Sequence, residues 1–124
     1  MFTGIIQAIG TVVSVESQGS AFAVTIETPA NFLSDTQPGD SICVHGVCLT
    51  VTRIDGSVFV ADVSGETVSC TTFANIVASS QVNLELALTL SARLGGHLVT
   101  GHIDGVGEIC EIKKLSYTFE RILV

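Results

Sequence analysis

The chain has few basic residues, and this limits the partners that it can bind. Of its 124 residues only five are Lys or Arg, against twelve Asp and Glu, and the formal net charge is -7. Nucleic acid binding relies on clustered Lys and Arg. Arg53, Arg93, Lys113, Lys114 and Arg121 form no long run. The sequence therefore predicts neither a nucleic acid partner nor attachment to an acidic membrane surface.

The sequence also lacks the features of export and of membrane insertion. No basic residue precedes Arg53, whereas a secretory signal begins with a charged segment. No apolar run approaches the roughly 20 residues that a membrane-spanning helix needs. We therefore expect a cytoplasmic protein.

The four cysteines show none of the spacings of a metal site. No two of them form the CxxC pair that zinc sites and redox motifs share, since they lie at Cys43, Cys48, Cys70 and Cys110. In a reducing cytosol such residues are free thiols that behave as small buried hydrophobes. The sequence therefore predicts neither a metal site nor a disulfide.

What the chain has in abundance is β-forming sequence, with 47% hydrophobic and 14% charged residues. Hairpins are predicted to turn at His45-Gly46 and at Asp55-Gly56. The other predicted elements are strands at 5–15, 22–27 and 81–90 and a short helical turn at 91–96. About six antiparallel strands before residue 97 favour an all-β closed barrel, with a sandwich as the alternative.

The chain contains an internal repeat. LVTGHIDGVG (98–107) aligns without gaps with the opening MFTGIIQAIG, an offset of 97 residues. The offset continues further on, where Val15 matches Ile112 and Phe22 matches Phe119. We therefore predict one complete barrel in residues 1–97 and the first strands of a truncated second barrel in residues 98–124.

Five segments together resemble a known family. They are MFTGII (1–6), GDSICVHGVCLTV (39–51), DVSGET (62–67), VNLE (82–85) and GGHLVTGHIDGVG (95–107). In this order they are similar to riboflavin synthase of the duplicated-barrel type. The length of the chain departs from that family.

The resemblance implies a fold and a reaction. Family members have two six-stranded antiparallel Greek-key barrels, assemble as trimers, and bind one 6,7-dimethyl-8-ribityllumazine per barrel. A four-carbon unit passes from one lumazine to the other, giving riboflavin and 5-amino-6-ribitylamino-pyrimidinedione, without a metal or organic cofactor. The two substrates stack where two barrels meet. This chain is therefore expected to bind lumazine and riboflavin, with low activity by itself.

Two other functions are open. Relatives of the family carry lumazine or flavin as a bound chromophore without catalysis, although retention of Cys48, Thr50 and the complete DVSGET and GGHLVTGH segments favours the enzyme. An unrelated barrel of oligonucleotide-binding topology is disfavoured by the acidic charge and the few aromatic residues.

The segment after the His45-Gly46 turn is a candidate binding face. Cys48 and Thr50 lie two residues apart, so in a strand both point to the face opposite Leu49. By resemblance Cys48, Leu49 and Thr50 hold the lumazine ring, partly through backbone groups. A strand face packed in the core is the alternative.

The DVSGET segment places four oxygen-bearing side chains around a glycine, a composition that suits a polyol, whose hydroxyls need partners once they are desolvated. By resemblance the segment binds the ribityl chain and the ring edge; its residues are Asp62, Val63, Ser64, Gly65, Glu66 and Thr67. The alternative is a polar turn in which Thr67 caps a helix.

The two repeat starts are further candidates. By resemblance Gly4, Ile5 and Ile6 in the first copy, and Gly101, His102 and Ile103 in the second, border the lumazine of the neighbouring barrel. The alternative is a tight barrel corner that needs glycine.

His102 is the first candidate for proton transfer, because the C7 methyl group of the lumazine must lose a proton and histidine titrates near ~6.5. A structural histidine beside a glycine bend is the alternative. Cys48 is the second catalytic candidate, although a thiol near its ordinary pKa of ~8.5 needs an activating partner.

Self-association is also expected. Residues 98–124 carry apolar strand sequence without a barrel to close, and unpaired edges recruit other chains. We predict a homodimer or higher oligomer, with this segment across the contact and Gly101, His102 and Ile103 facing a partner's ligand site.

Overall fold

The chain folds as a closed six-stranded antiparallel barrel. The computed structural model describes residues 1–116 and the backbone of residues 119–123. The barrel order is β1-β2-β5-β4-β3-β6, and β6 pairs back to β1. The strands are β1 (Ala8–Gln18), β2 (Ala21–Glu27), β3 (Ser41–Val44), β4 (Val47–Asp55), β5 (Val58–Val63) and β6 (Gln81–Leu86). Because β2 pairs with β5 and β3 pairs with β6, the connections are of the Greek-key type, which confirms the predicted fold.

Strand alternation builds the core. In β4, Val47, Leu49 and Val51 point into the barrel and are buried, while the residues between them point outwards. The other strands contribute in the same way, and the fully buried side chains include Val24, Ile26, Ile42, Val44, Phe59, Val63, Val82 and Leu84. The residues between these buried positions therefore lie on the outer side of the barrel.

Both predicted hairpin turns are present. His45 and Gly46 have φ values of 54° and 89°, as a two-residue turn of the I′ type requires. Asp55 pairs with Val58, so the second turn lies at Gly56-Ser57, one residue later than predicted. The first strand begins at Ala8 rather than at residue 5.

The helix lies elsewhere than predicted. No helix forms at residues 91–96; α1 (Gly65–Cys70) and a 3-10 helix (Thr72–Asn75) follow β5 instead. The reason is that the backbone after Gly95 pairs with the N-terminal residues. The His97 N–H donates to Thr3 O at 3.1 Å, so this backbone runs alongside the N-terminus and forms no helix.

The two repeat starts pair with each other. Phe2 and Val99 form an isolated antiparallel bridge, with Phe2 N–H to Val99 O at 2.8 Å and Val99 N–H to Phe2 O at 3.0 Å. These residues are equivalent at the offset of 97 found in the sequence. The bridge therefore relates the two copies by a local twofold rotation.

A separate hairpin follows, made of β7 (Ile109–Lys114) and β8 (Phe119–Leu123). Its register matches that of β1 and β2 at the same offset: Val12 pairs with Ile26, and Ile109 pairs with Leu123. The irregularity between Val12 and Ser14 recurs at the equivalent place in β7. The prediction for residues 98–124 also covers Tyr117, Thr118 and Val124, which lie outside the described residues.

Candidate functional site

One cavity brings together several predicted site residues. It has a volume of about 350 Å³ and lies between the start of β4, helix α1 and residues 101–104. Its lining residues are Val47, Cys48, Glu66, Thr67, Cys70, Thr71, Gly101, His102, Ile103 and Asp104. Three separate segments of the chain therefore form its walls.

The first wall is the outer face of β4, which the second repeat start covers in part. The Cys48 N–H donates to Gly101 O at 2.9 Å. Gly101 has a φ of +78°, and a Cβ at this position would lie 2.8 Å from Cys48 Cβ. Only glycine allows this close approach, since other residues would be strained in this conformation and would collide with Cys48. The Cys48 N–H is thus already hydrogen-bonded, so Cys48 meets the cavity through its side chain.

The second wall is helix α1, which is held by polar caps. Ser64 accepts a hydrogen bond from the Thr67 N–H at 3.1 Å, and the two hydroxyls lie 3.0 Å apart. The Thr71 hydroxyl donates to Thr67 O at 2.6 Å and ends the helix. Ser64 rather than Thr67 is therefore the capping residue, and Thr67 faces the cavity.

The third wall is the second repeat start, whose local structure matches that of the first. Thr100 Oγ1 accepts from the His102 N–H at 3.2 Å, as Thr3 Oγ1 accepts from the Ile5 N–H at 3.1 Å. Gly4 and Gly101 both have positive φ, +83° and +78°. The turn places exposed His102 and Ile103 at the rim of the cavity.

Six predicted site residues line this cavity: Cys48, Glu66, Thr67, Gly101, His102 and Ile103. The last three line a cavity of this chain, and the expectation that they face a partner's ligand site stays a prediction. The Phe2–Val99 bridge and the bond from Cys48 to Gly101 dock this segment on the chain's own barrel.

The remaining predicted site residues lie elsewhere. Leu49 and Val63 point into the barrel core, whereas Thr50 and Asp62 are exposed on its outer surface. Ser64 and Gly65 form the start of α1. Gly4 and Ile6 line a second cavity of about 280 Å³ beside Cys43, and Ile5 lines a third.

Sequence reasoning missed several lining residues. Cys70 and Thr71 follow Thr67 by three and four positions, the spacing that places side chains on one helix face. They would have been found had the helix, which is only the alternative interpretation of this segment from its sequence, been preferred. Asp104 belongs to the second repeat start and directly follows Ile103.

The cysteines differ in their surroundings, and all four are free thiols. Burial and, second to it, the nearby Glu85 carboxylate raise the pKa of Cys43 to about 11. Cys43 is therefore an inert thiol at neutral pH. Among the residues that line the first cavity, His102 is the one basic side chain near Cys48.

The described residues contain neither a candidate metal site nor a helix suited to crossing a membrane. No group of three or more His, Cys, Asp and Glu side chains is arranged to hold a metal ion within this part of the chain. None of the helices described here has the length and apolar content needed to cross a bilayer.

Comparisons with known proteins agree on one family. Residues 3–87 match the lumazine binding domain. Riboflavin synthase of Actinobacillus pleuropneumoniae is 47% identical over 112 residues, which cover 90% of this chain and 52% of that protein. Riboflavin synthase of Bacillus subtilis is 46% identical over 116 residues, covering 94% and 54%. This chain thus spans about half the length of the curated relatives that it matches.

Solved structures show the same fold with ligands. LumP complexed with 6,7-dimethyl-8-(1'-D-ribityl) lumazine is 28% identical with a TM-score of 0.85, and the match covers 99% of this chain and 68% of that chain. LumP complexed with riboflavin gives the same identity and TM-score, and the match covers 66% of that chain. LumP complexed with flavin mononucleotide has a TM-score of 0.81 at 31% identity and 63% coverage of that chain.

Proposed function

This chain belongs to the lumazine binding domain family, and we propose that its cavity binds 6,7-dimethyl-8-ribityllumazine and riboflavin as one substrate site of a riboflavin synthase. The observation that carries the proposal is the meeting of three separate family-like segments, at Cys48, Thr67 and His102, around a single cavity. The ligands of the LumP structures and the names of the curated relatives support it.

The cavity has properties that suit this ligand. Its volume of about 350 Å³ lies at the lower end of the range of small-molecule sites, roughly 300 to 1,000 Å³. The Thr67 hydroxyl and the Glu66 carboxylate offer partners to ribityl hydroxyls. On the other two walls, the Cys48 and Ile103 side chains offer a surface for the ring.

The proposed reaction needs two such sites. A four-carbon unit would pass between two stacked lumazines, and residues 1–97 supply one binding barrel. We further propose that residues 98–124 are the first strands of a second lumazine-binding barrel, which the matched register of the two hairpins supports. Low turnover is therefore expected from this chain alone.

His102 is the proposed proton acceptor. It lies at the rim of the cavity, where an imidazole could reach the C7 methyl group of a bound lumazine. Cys48 is proposed as a second catalytic candidate and as a contact to the ring. Its backbone N–H is engaged with Gly101, so this contact falls to the thiol. The proposed chemistry uses no metal or organic cofactor.

Binding without catalysis is the second candidate function. It is favoured by the structural likeness to LumP, which was solved with lumazine, riboflavin and flavin mononucleotide. The two candidates differ in one measurable respect: only the first predicts riboflavin formation when a second barrel is supplied.

The test is a fluorescence titration with riboflavin. Thr67→Ala is expected to weaken binding by about 1 to 3 kcal/mol, since a ligand hydroxyl loses its partner. Thr52→Ala is the matched control, because the Thr52 hydroxyl bonds Val60 O at 3.1 Å outside the cavity. No binding by the wild-type chain, or equal affinity in both variants, would refute the assignment.

Turnover is measured separately with 6,7-dimethyl-8-ribityllumazine as substrate. Adding a second intact barrel in trans should raise the rate of riboflavin formation. Ligand binding with no riboflavin formed under these conditions would favour the non-catalytic function.

A further inference from the structure

A buried carboxylate lies outside the cavity and the proposed chemistry does not use it. Glu85, at the end of the VNLE segment, is 4% exposed. It accepts from the Thr3 N–H and the Thr3 hydroxyl, both at 2.6 Å, and from the Gly4 N–H at 3.1 Å. A buried charge needs such partners, and charge-assisted bonds of this length are strong. Glu85 therefore holds the N-terminal segment on the barrel.

The N-terminal segment in turn holds the second repeat start. Four hydrogen bonds join residues 97–116 to residues 1–96 in the described structure, and three of them end on Phe2 or Thr3. These three are the two bonds of the Phe2–Val99 bridge and the bond from the His97 N–H to Thr3 O. The fourth runs from the Cys48 N–H to Gly101 O.

The chain from Val99 leads directly into the cavity. Gly101 follows two residues later, and residues 101–104 form one of the three cavity walls. Residues 102–116 are exposed on the surface. The position of this wall therefore depends on the N-terminal segment and, through it, on Glu85.

We propose that Glu85 and Thr3 are positioning residues that set the ligand affinity of a cavity that neither of them lines. This rests on the proposed ligand of the cavity. Glu85 acts through Thr3, Thr3 and Phe2 hold the segment from His97 to Val99, and this segment places residues 101–104 against β4. Loosening the carboxylate contact moves the third wall away from Cys48 and weakens binding.

Thr3→Val tests the proposal, because valine keeps the shape of threonine and removes the hydroxyl that donates a hydrogen bond to Glu85. The matched control is Thr28→Val at the opposite end of the barrel. Thr28 is 6% exposed, and its hydroxyl donates to Ser57 O at 2.8 Å. Each threonine hydroxyl also has a second, longer contact: Thr3 Oγ1 accepts from the Ile5 N–H at 3.1 Å, and Thr28 Oγ1 lies 3.3 Å from Pro29 O. Each change therefore removes one short and one long hydrogen bond, and the two should cost similar stability.

Riboflavin affinity and urea stability are measured for both variants. Thr3→Val should weaken riboflavin binding by about three- to tenfold, the size of the one lost hydrogen bond to Glu85. Thr28→Val should lower the urea midpoint to a similar extent and leave the affinity unchanged. Glu85→Gln should weaken binding at least as much as Thr3→Val. If Glu85→Gln does not fold, Thr3→Val still decides.

Amide hydrogen exchange provides a readout that needs no ligand. In Thr3→Val, the Cys48 and Val99 amides should exchange faster than in the wild type, and in Thr28→Val they should not. Unchanged affinity together with unchanged exchange in Thr3→Val would overturn the proposal. A wild-type chain that fails to bind riboflavin would refute the proposed function instead, and the exchange data would still decide the coupling.

Discussion

Replacing Gly101 with alanine is the sharpest test of the third cavity wall. Gly101 has a φ of +78°, a conformation that costs an L residue about 1 to 2 kcal/mol. The added Cβ would lie 2.8 Å from Cys48 Cβ, whereas non-bonded carbons prefer about 3.5 to 4.0 Å. The segment must therefore move away from β4 by roughly 1 Å.

This movement breaks a specific contact. The bond from the Cys48 N–H to Gly101 O is 2.9 Å long, and losing such a bond costs about 0.5 to 1.5 kcal/mol. Together with the backbone strain, the docked position loses about 1.5 to 3.5 kcal/mol. If ligand binding needs the docked wall, Gly101→Ala should bind riboflavin about 10- to 400-fold more weakly.

Gly19→Ala separates strain from docking. Gly19 has a similar φ of +70° in the β1–β2 turn, and nothing lies within 4 Å of an added Cβ. This variant should lose stability in urea but keep its riboflavin affinity in the same fluorescence titration. Equal affinities of the two variants would refute the claim that residues 101–104 form part of the binding site.

Two further predictions concern thiol reactivity and assembly. At pH 8, iodoacetamide should alkylate exposed Cys110 before Cys43, because a pKa of about 11 keeps the Cys43 thiol protonated. Labelling of Cys43, measured by mass spectrometry, should rise as the pH approaches that value. Equal labelling of the two cysteines at pH 8 would contradict the raised pKa. Sedimentation at micromolar concentration should show a homodimer or higher oligomer, since Ile5, Ile6 and Ile9 are about half exposed; a monomer that keeps its ligand binding after proteolysis of the hairpin would contradict this.

The barrel could be predicted because its strands carry strong local signals. Alternating apolar residues and the turns at His45-Gly46 and Gly56 identify β3, β4 and β5 without any tertiary information. The order in which the strands pair is not a local property, and it could be predicted only from the family resemblance. The register of β2 with β5, for example, joins segments separated by two other strands.

The cavity walls were less accessible to sequence reasoning. Helix α1 has only six residues and no buried side chain, so its sequence shows no apolar periodicity from which a helix could be predicted. Its polar capping residues determine where it begins and ends. The docking of residues 97–101 depends mainly on backbone groups, which leave no trace in side-chain patterns. The role of Glu85 was missed for a related reason, because its partners lie at the far end of the chain.

The matched hairpins have a consequence for the order of folding. Two different sequences, β1–β2 and β7–β8, adopt the same register and the same irregularity, although only the first belongs to the closed barrel. Their register is therefore encoded within the hairpin itself. Local pairings of this kind carry a low loop-closure cost and form early. Closure between β1 and β6, which joins Ala8 to Leu84, carries the larger entropic cost and should be the slow step.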